Sequence, residues 1–382
     1  MTEEKFSNMR NRRPYAGIDW SRAEQIQGTT HVHCTETEEF EALISQGLGF
    51  ATLANYYPSA PWYPASSVCR NTFRISQNEY TENGVYHKEP FIFKERIEAW
   101  KEELEPGMFE TLPTEPGERV FPRIPDGFLE APNAEHHSFS DITPHLHICA
   151  PGSSLTSGHF DKWGAFGLTN HGIKLGFQLP WRDAFKLLLD NLITPDGGGI
   201  TINHPHWSYL PHETLTMLLD FDPRVLGIEV YNSNCDDSYS GSSEVEWDRL
   251  LASGRQCFGF FTQDHLPSAT RIWRGRNILL VEEHTAEACL RAYRQGNFYG
   301  AITGSGLRFE YINFDGKELH AKADREVFWQ MITAQGISSE GKSREFSYTL
   351  KEGDKEKYKF LRLTARVLRE PEKLYTQPFM LD

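Results

Sequence analysis

A strand-helix-strand pattern at residues 28–57 constrains the fold of this chain most. The pattern begins with GTTHVHC, a short segment typical of a strand. TEEFEALISQG follows it, with apolar residues at helical spacing (Phe40, Leu43 and Ile44) and a typical helix stop at Gly47. GFATLANYYP then indicates a second buried strand. Two strands joined by a helix predict a parallel sheet or a β/α barrel.

The alternation of strands and helices resumes after about residue 143. The predicted helices include WRDAFKLLLDNLI and HETLTMLLDF, and TAEACLRAYRQGNFYGAITG predicts a helix, a glycine turn and a closing strand. The predicted strands are HLHICA, GITINHP, VLGIEVYN and QCFGFF. Polar residues or potential metal ligands follow each strand. In β/α barrels the active site lies at those strand ends.

The remaining parts of the chain set the predicted domain boundaries. Residues 1–24 are polar and predict an N-terminal arm, and residues 25–304 form the barrel. An insertion at about 58–130 is rich in proline and aromatic residues, contains a helix at 89–104 and covers one face of the barrel. Residues 305–382 alternate apolar and polar residues around an Asp-Gly turn, which predicts a small antiparallel β-sandwich with a structural role.

Composition narrows the class of protein and the kind of partner. A chain of 382 residues is long for one compact core unless the fold is a barrel with an accessory domain. The formal net charge of -14 disfavours duplex nucleic acid as a partner. No apolar stretch approaches the length that spans a bilayer, and the N-terminus has no apolar signal segment. Six cysteines at irregular spacing favour a reducing cytoplasm over a disulfide framework.

The first candidate ligands are His31 and His33, separated by one residue. Side chains two apart on an extended segment point to the same side, so both imidazoles can hold one metal ion. An isolated pair of this kind is more often structural, but its place after an early strand favours ligation. Glu135 stands beside two histidines and suits a carboxylate that bridges two metals.

A second histidine pair, His145 and His147, repeats this spacing. The period alone does not separate the two, and His147 is slightly preferred because it is nearer the strand's C-terminal end. His204 ends an apolar strand directly before a proline, which presents it at the strand tip. Asp264 and His265 follow another apolar strand and suit a metal site, with a helix N-cap as the alternative.

Two neighbouring residues are assigned supporting roles. His206 is predicted to contact the substrate or a metal ligand, and it is a candidate to protonate a leaving group. Glu229 lies inside a buried strand, where a carboxylate is costly unless it is paired. We therefore expect Glu229 to support the site without binding metal.

In order along the chain, these motifs resemble those of the polymerase-and-histidinol-phosphatase (PHP) superfamily. The motifs are HVH, an acid after PN, a strand histidine, NHPH, GIEVYN and an Asp-His pair. The resemblance covers about residues 28–305, and AYRQGNFYGAITGSG with a β-rich tail is similar to members that carry a C-terminal sandwich. It implies a distorted (β/α)7-type barrel that holds one to three divalent ions (Zn, Mn or Fe). The implied ligands are His31, His33, Glu135, His145 or His147, His204, Asp264 and His265.

The chain departs from the family pattern at two places. Asn55 and Tyr56 stand where the family has an Asp-His pair, and Gln263 stands where the last motif has its aspartate unless Asp264 replaces it. Both changes remove negative charge. They leave open whether the site holds fewer metals, prefers another metal or has lost hydrolysis.

The resemblance implies hydrolysis of a small phosphorylated substrate by a metal-bound hydroxide, in which bound cations would offset the acidic charge of the protein. His206 or Tyr56 is the candidate proton donor. Arg70 and Arg74 are candidates for binding phosphate, although a role as surface arginines is favoured for both. The alternative is a catalytically degenerate barrel that binds metal or ligand. An amidohydrolase-like enzyme is disfavoured because no carbamylated-lysine signature follows the strands.

Overall fold

The structure is a computed structural model of the chain. It describes residues 13–34, 37–54, 74–76, 80–82, 85–87, 118–120, 124–137, 139–155, 179–236, 239–267, 270–302 and 306–381. These residues form a mixed α/β fold with several sheets and seven helices. Among them, no helix is both long enough and apolar enough to cross a membrane. The helix predicted at 89–104 lies outside the described residues.

The chain divides into two compact units, and the first to be described comprises Thr30–Asn203 and Asp264–Ile272. Its helices are α1 (Thr37–Ser45) and α2 (Trp181–Asp190). Its strands are β2 (Val32–His33), β3 (Phe50–Ala51), β4 (Arg74–Ser76), β5 (Tyr80–Glu82), β6 (Val85–His87), β7 (Glu118–Val120), β8 (Leu129–Glu130), β9 (Glu135–His136), β10 (Ile148–Cys149), β11 (Ile200–Ile202) and β14 (Asp264–His265).

The strands of this unit are short and pair in both directions. β2 pairs with β14 and β3 with β8, both in parallel. β10 is antiparallel to both β9 and β11. The helix predicted from the spacing of Phe40, Leu43 and Ile44 is confirmed as α1, and Phe40 and Leu43 are fully buried. The predicted strand HLHICA is shorter than expected, because only Ile148 and Cys149 are in a strand and His145 lies in a turn.

The other unit comprises Met1–Thr29, His204–Gln263 and Trp273–Asp382. Its helices are α3 (His212–Leu219), α4 (Ser233–Asp236), α5 (Glu244–Ala252), α6 (Ala286–Gln295) and α7 (Asp354–Tyr358). Its strands are β1 (Glu24–Thr29), β12 (Val225–Asn232), β13 (Phe258–Thr262), β15 (Gly275–Val281), β16 (Phe298–Ile302), β17 (Phe309–Phe314), β18 (Glu318–Thr333), β19 (Gly336–Thr349), β20 (Phe360–Arg366), β21 (Lys373–Tyr375) and β22 (Phe379–Met380).

One sheet dominates this unit and has the order β17-β18-β20-β21-β16-β15-β1, with β19 beside β18 and β22 beside β20. All of its described pairings are antiparallel. The hairpin predicted at Asp315-Gly316 is confirmed, since Asp315 Oδ1 accepts hydrogen bonds from the backbone of Lys317 and Glu318. β21 pairs with β16, so sheet hydrogen bonds cross the domain boundary predicted at residue 305. β12 and β13 form a separate parallel pair.

The helix, glycine turn and strand predicted near residue 290 are also confirmed. The Oγ1 of Thr285 accepts a hydrogen bond from the backbone of Ala288 and caps α6. Gly296 ends the helix with a φ of 77°, a left-handed conformation that favours glycine. The chain then enters β16.

Part of the predicted N-terminal arm is fixed to the sheet. The ring of Tyr15 is buried, and its hydroxyl donates to the carbonyl of Phe298 over 3.0 Å and accepts from the backbone amide of Gln377 over 2.7 Å. Its backbone amide donates to Asn297 Oδ1. Tyr15 therefore adds both apolar area and hydrogen bonds to the core of this unit, which the polar sequence around it does not indicate.

A buried ion pair fixes helix α5 against strand β20. The guanidinium of Arg362 is buried and donates to Asp248, with Nε–Oδ1 at 2.7 Å and Nη2–Oδ2 at 2.9 Å. It also lies 4.8 Å from the ring centre of Trp247. A two-pronged pair over an aromatic face is the geometry that a buried guanidinium favours.

Replacing Asp248 by alanine would leave Arg362 buried without that partner. We expect a loss in the free energy of unfolding toward the lower end of ~3–5 kcal/mol, because Asp248 is partly exposed. Denaturant unfolding measures this loss. The control is Glu345→Ala, which removes an exposed pair with Lys322 and should cost at most about 1 kcal/mol. Equal losses in the two variants would contradict the special role of the buried pair.

Candidate metal centre

His31 and His33 come together at the short strand β2, which contains His33 and which His31 directly precedes. Their Nε2 atoms are 3.2 Å apart, and both rings are buried. β2 is held by parallel pairing with β14, and the amide of Asp264 donates to the carbonyl of His31 over 3.0 Å. The alternation of side chains along an extended segment accounts for this juxtaposition, as the sequence predicted.

Asp264 faces the two histidines from β14. Its Oδ1 lies 3.6 Å from His31 Nε2 and 3.4 Å from His33 Nε2. The φ of Asp264 is 61°, in the left-handed region that aspartate tolerates better than most residues. This backbone conformation accompanies a carboxylate that is buried and directed toward two imidazoles.

Glu135 contacts the same two histidines from β9. Its Oε2 is 3.1 Å from His33 Nε2, and its Oε1 is 3.4 Å from His31 Nε2. The amide of Glu135 donates to the carbonyl of Ala54, which fixes the backbone at this position. Two carboxylates and two imidazoles therefore share one buried region of this unit.

The Oε1 atom of Glu135, which lies near His31, also contacts two other polar groups. His147 Nδ1 lies 3.0 Å from Oε1, and Asn203 Nδ2 donates to the same oxygen over 3.1 Å. The two oxygens of Glu135 thus face different partners, an arrangement that suits a bridging carboxylate. His145 is exposed in a turn, so the structure brings His147 to this region and leaves His145 outside it.

The pKa values of His33 and Asp264 keep these two groups in the protonation states that ligate metals. Burial, followed by the neighbouring His265, lowers the pKa of His33 to about 4, although Glu135 and Asp264 act in the opposite direction. Burial alone would raise the pKa of Asp264, but His31 and His33 outweigh it and hold the pKa below its usual value. At neutral pH, His33 is neutral and Asp264 is ionised.

The spacing of the donor atoms fits a divalent ion. His31, His33 and Asp264 present three atoms at separations of 3.2, 3.4 and 3.6 Å. Ligands bonded at about 2.0–2.1 Å are about 2.8–3.0 Å apart on neighbouring corners of an octahedron and about 3.3–3.4 Å apart on those of a tetrahedron. The triangle is therefore close to one face of a coordination polyhedron. Imidazole and carboxylate together suit Zn, Mn or Fe.

His265 lies at the edge of this group. Its ring stacks on that of His33, with centres 4.2 Å apart and planes inclined by 16°. Its Nε2 is 3.7 Å from Asp264 Oδ1, and its side chain is 45% exposed. His265 is thus placed to orient His33 and to meet solvent.

The predicted ligand His204 belongs to the other unit. Its amide donates to Glu229 Oε2 over 2.7 Å, and its Nδ1 lies 2.9 Å from Ser208 Oγ. With Nδ1 as the donor to Ser208, the lone pair lies on Nε2, the tautomer that ligates a metal. Glu229 also accepts from Asn232 Nδ2. The buried carboxylate of Glu229 is thus paired, and its supporting role and the ligation by His204 stay predictions.

The remaining predicted residues have varied positions. His206 lies in the same unit as His204, half exposed, with Nδ1 2.9 Å from Glu246 Oε1. Gln263 Oε1 accepts a hydrogen bond from the amide of Arg274. Asn55, Tyr56 and Arg70 lie outside the described residues, and Arg74 is described only in the backbone of β4.

Sequence reasoning missed Asn203, which donates to Glu135 Oε1 and lies 3.3 Å from Cys149 Sγ. Its only signal was its place directly before the histidine of the NHPH motif. An amide there gives no pattern of its own, because its partners are distant in sequence.

Comparison with known proteins gives little further information. No family model matches the chain, and no curated protein matches it. Among solved structures, the chain is similar to a two-domain protein from Bacteroides vulgatus described as containing a predicted PHP-like metal-dependent phosphoesterase. The identity is 12%, the match covers 96% of this chain and 90% of that one, and the TM-score is 0.42.

Replacing His33 by alanine should abolish tight binding of a divalent ion. The variant loses one of the three closely spaced donors, and two protein ligands hold such an ion far more weakly than three. Metal content after dialysis against Zn²⁺ or Mn²⁺ measures the effect. The control is His320→Ala, which removes an exposed histidine of the C-terminal strands. Wild-type metal content in His33→Ala would contradict the site.

His147 and His145, which the sequence did not separate, should differ in their contribution to metal affinity. His147→Ala removes a contact to Glu135, so we expect metal affinity to fall about 10- to 100-fold, the usual effect of losing a group that orients a ligand or completes the site. His145→Ala should have a much smaller effect because His145 is exposed in a turn. Titration calorimetry compares the two variants, and a larger loss in His145→Ala would reverse the assignment.

Proposed function

We propose that this chain is a metal-dependent hydrolase that acts on a small phosphoester. The observation that carries the proposal is the buried triangle of donor atoms from His31, His33 and Asp264, with Glu135 against it. The family resemblance of the ordered sequence motifs supports the reaction type. The (β/α)7-type barrel and the C-terminal sandwich belong to the same proposal.

The charges of the site favour a divalent cation. The carboxylate of Asp264 is ionised at neutral pH and the neighbouring imidazole of His33 is neutral, so the negative charge is costly in this buried region. A divalent ion held there would neutralise this charge, lower the pKa of a bound water and stabilise charge on a phosphoryl group. The protein's own contribution is to keep His33 neutral and to hold both oxygens of Glu135 in place.

Residues outside this cluster complete the proposal. We assign His204 as a further ligand and His265 as a ligand or an orienting group. His206 is the proposed proton donor to the leaving group, and its Nδ1 contact with Glu246 orients the ring. Tyr56 is the other candidate donor.

The proposed substrate is small and phosphorylated. The acidic charge of the chain disfavours duplex nucleic acid, and we propose neither a nucleic-acid nor a membrane partner. The irregular spacing of the six cysteines supports a cytoplasmic location.

A second candidate function is binding of metal or ligand without hydrolysis. The observation that favours it is Gln263, which replaces an acid of the family motif and uses its Oε1 to accept a hydrogen bond from the backbone of Arg274. The Asn55 and Tyr56 replacements favour it as well. Turnover separates the two functions, because both predict bound metal.

Wild-type protein loaded with Zn²⁺, Mn²⁺ or Fe²⁺ should hydrolyse members of a panel of small phosphomonoesters and phosphodiesters. Asp264→Ala should lower kcat/KM at least about 100-fold, because loss of one ligand is worth several kcal/mol in charge stabilisation. The control is Glu318→Ala, an exposed acid of strand β18. Bound metal with no turnover on any member of the panel would favour the second function.

A further inference from the structure

Asn133 is a buried amide two residues before Glu135. Its Nδ2 donates to the carbonyls of Thr30 and Thr52 over 2.8 and 3.0 Å. Its Oδ1 accepts from the amide of Ala150 over 2.9 Å. The side chain is 1% exposed. One side chain therefore binds the backbones of three separate segments.

Each of these segments leads to the candidate metal centre. Thr30 directly precedes His31. Ala150 directly follows β10, whose Cys149 pairs with Glu135 in the sheet. Asn133 and Glu135 lie on one stretch of chain, about a hundred residues from His31 in sequence. The amide thus connects the backbone that carries His31 to the backbone that carries Glu135.

The third contact supports the same arrangement. Thr52 directly follows strand β3, and two residues later the carbonyl of Ala54 accepts the amide of Glu135 over 3.1 Å. Ala54 in turn donates its amide to the carbonyl of Val32, the residue between His31 and His33. Glu135 and β2 are therefore linked through the segment that follows β3 as well as through Asn133.

We infer that Asn133 is a positioning residue of the metal centre, which sets the separation between the His31 and Glu135 side chains. This inference rests on the proposed function. Asparagine suits the position because it supplies two donors and an acceptor from one short planar group. Aspartate has no donor when ionised, and glutamine adds a methylene to a fully buried space. A metal site tolerates displacement of its ligands poorly, so loss of this amide affects metal affinity beyond its effect on stability.

The test uses Asn133→Ala with Gln377→Ala as its matched control. Gln377 is also a buried amide, and it bonds both the amide and the carbonyl of Gly259 over 2.8 Å, in the other unit. Titration calorimetry with Zn²⁺ alone measures affinity at a temperature where thermal unfolding shows all three proteins folded. We expect Asn133→Ala to bind Zn²⁺ about 10- to 100-fold more weakly than wild type. Gln377→Ala should keep wild-type affinity although its Tm falls.

The outcomes separate this inference from the proposed function. Wild-type affinity in Asn133→Ala overturns the inference and leaves the proposed function standing. Equal losses of affinity in the two variants also overturn it, because they would reflect general destabilisation. If the wild-type protein binds no Zn²⁺, Mn²⁺ or Fe²⁺, the proposed function fails and the inference fails with it.

A measurement on the wild-type protein covers the case in which Asn133→Ala does not fold. Hydrogen exchange of the Ala150 amide reports opening of its bond to Asn133. If Asn133 couples the two strands to the site, saturation with Zn²⁺ slows exchange at Ala150 more than at Gly259, whose amide bonds to Gln377. Unchanged exchange at Ala150 would overturn the inference.

Discussion

The candidate site depends on the electrostatics of packing acids and imidazoles together away from water. His31, His33, Glu135 and Asp264 are each at most 6% exposed. The Nε2 atoms of His31 and His33 are 3.2 Å apart, and each lies within 3.6 Å of a carboxylate oxygen of Glu135 and of Asp264. Burial disfavours a positive charge on His33, because it lowers the pKa of this imidazole to about 4. A divalent cation would balance the charge of the ionised Asp264 carboxylate with the donors already in place.

Short strands hold these donors, and their positions depend on bonds from outside the strands. β2, β9 and β14 contain two residues each, too few for ladder hydrogen bonds alone to fix a side chain. Asp264 adds a left-handed backbone, a conformation that costs free energy and persists only where surrounding contacts enforce it. Elsewhere in the same unit, the side-chain amide of Asn133 bonds the backbones of Thr30, Thr52 and Ala150. The ligand geometry is thus a property of the connected backbone around the site.

The parts of the site that sequence could predict are those that follow from local periodicity. His31 and His33 share a face because side chains alternate along an extended segment, and the structure places their nitrogens side by side. The same rule could not separate His145 from His147, since it assumes a strand where the chain makes a turn. Asn133 has backbone groups as partners, and backbone groups leave no trace in a sequence. Its role required the structure.

Sequence predicted the elements of the fold better than their arrangement. The helix at Phe40 and the hairpin at Asp315-Gly316 followed from spacing and turn chemistry, which act over a few residues. The sequence predicted parallel pairing, whereas the described strands pair in both directions. The reason is that strand direction depends on contacts between residues far apart in the chain. Tyr15 was missed for the same reason, because its partners Phe298 and Gln377 lie near the other end of the chain.

For the proposed phosphoester substrate, the acidic charge of the protein would link metal loading to substrate binding. A phosphoester carries negative charge, and the carboxylates of Glu135 and Asp264 would repel it in a buried region where screening by salt is weak. The overall charge of -14 adds to this repulsion. A cation between the carboxylates and the phosphate reverses the local sign. Affinity for an anionic substrate should therefore rise with metal occupancy, and by linkage the substrate should raise the affinity for metal by the same factor.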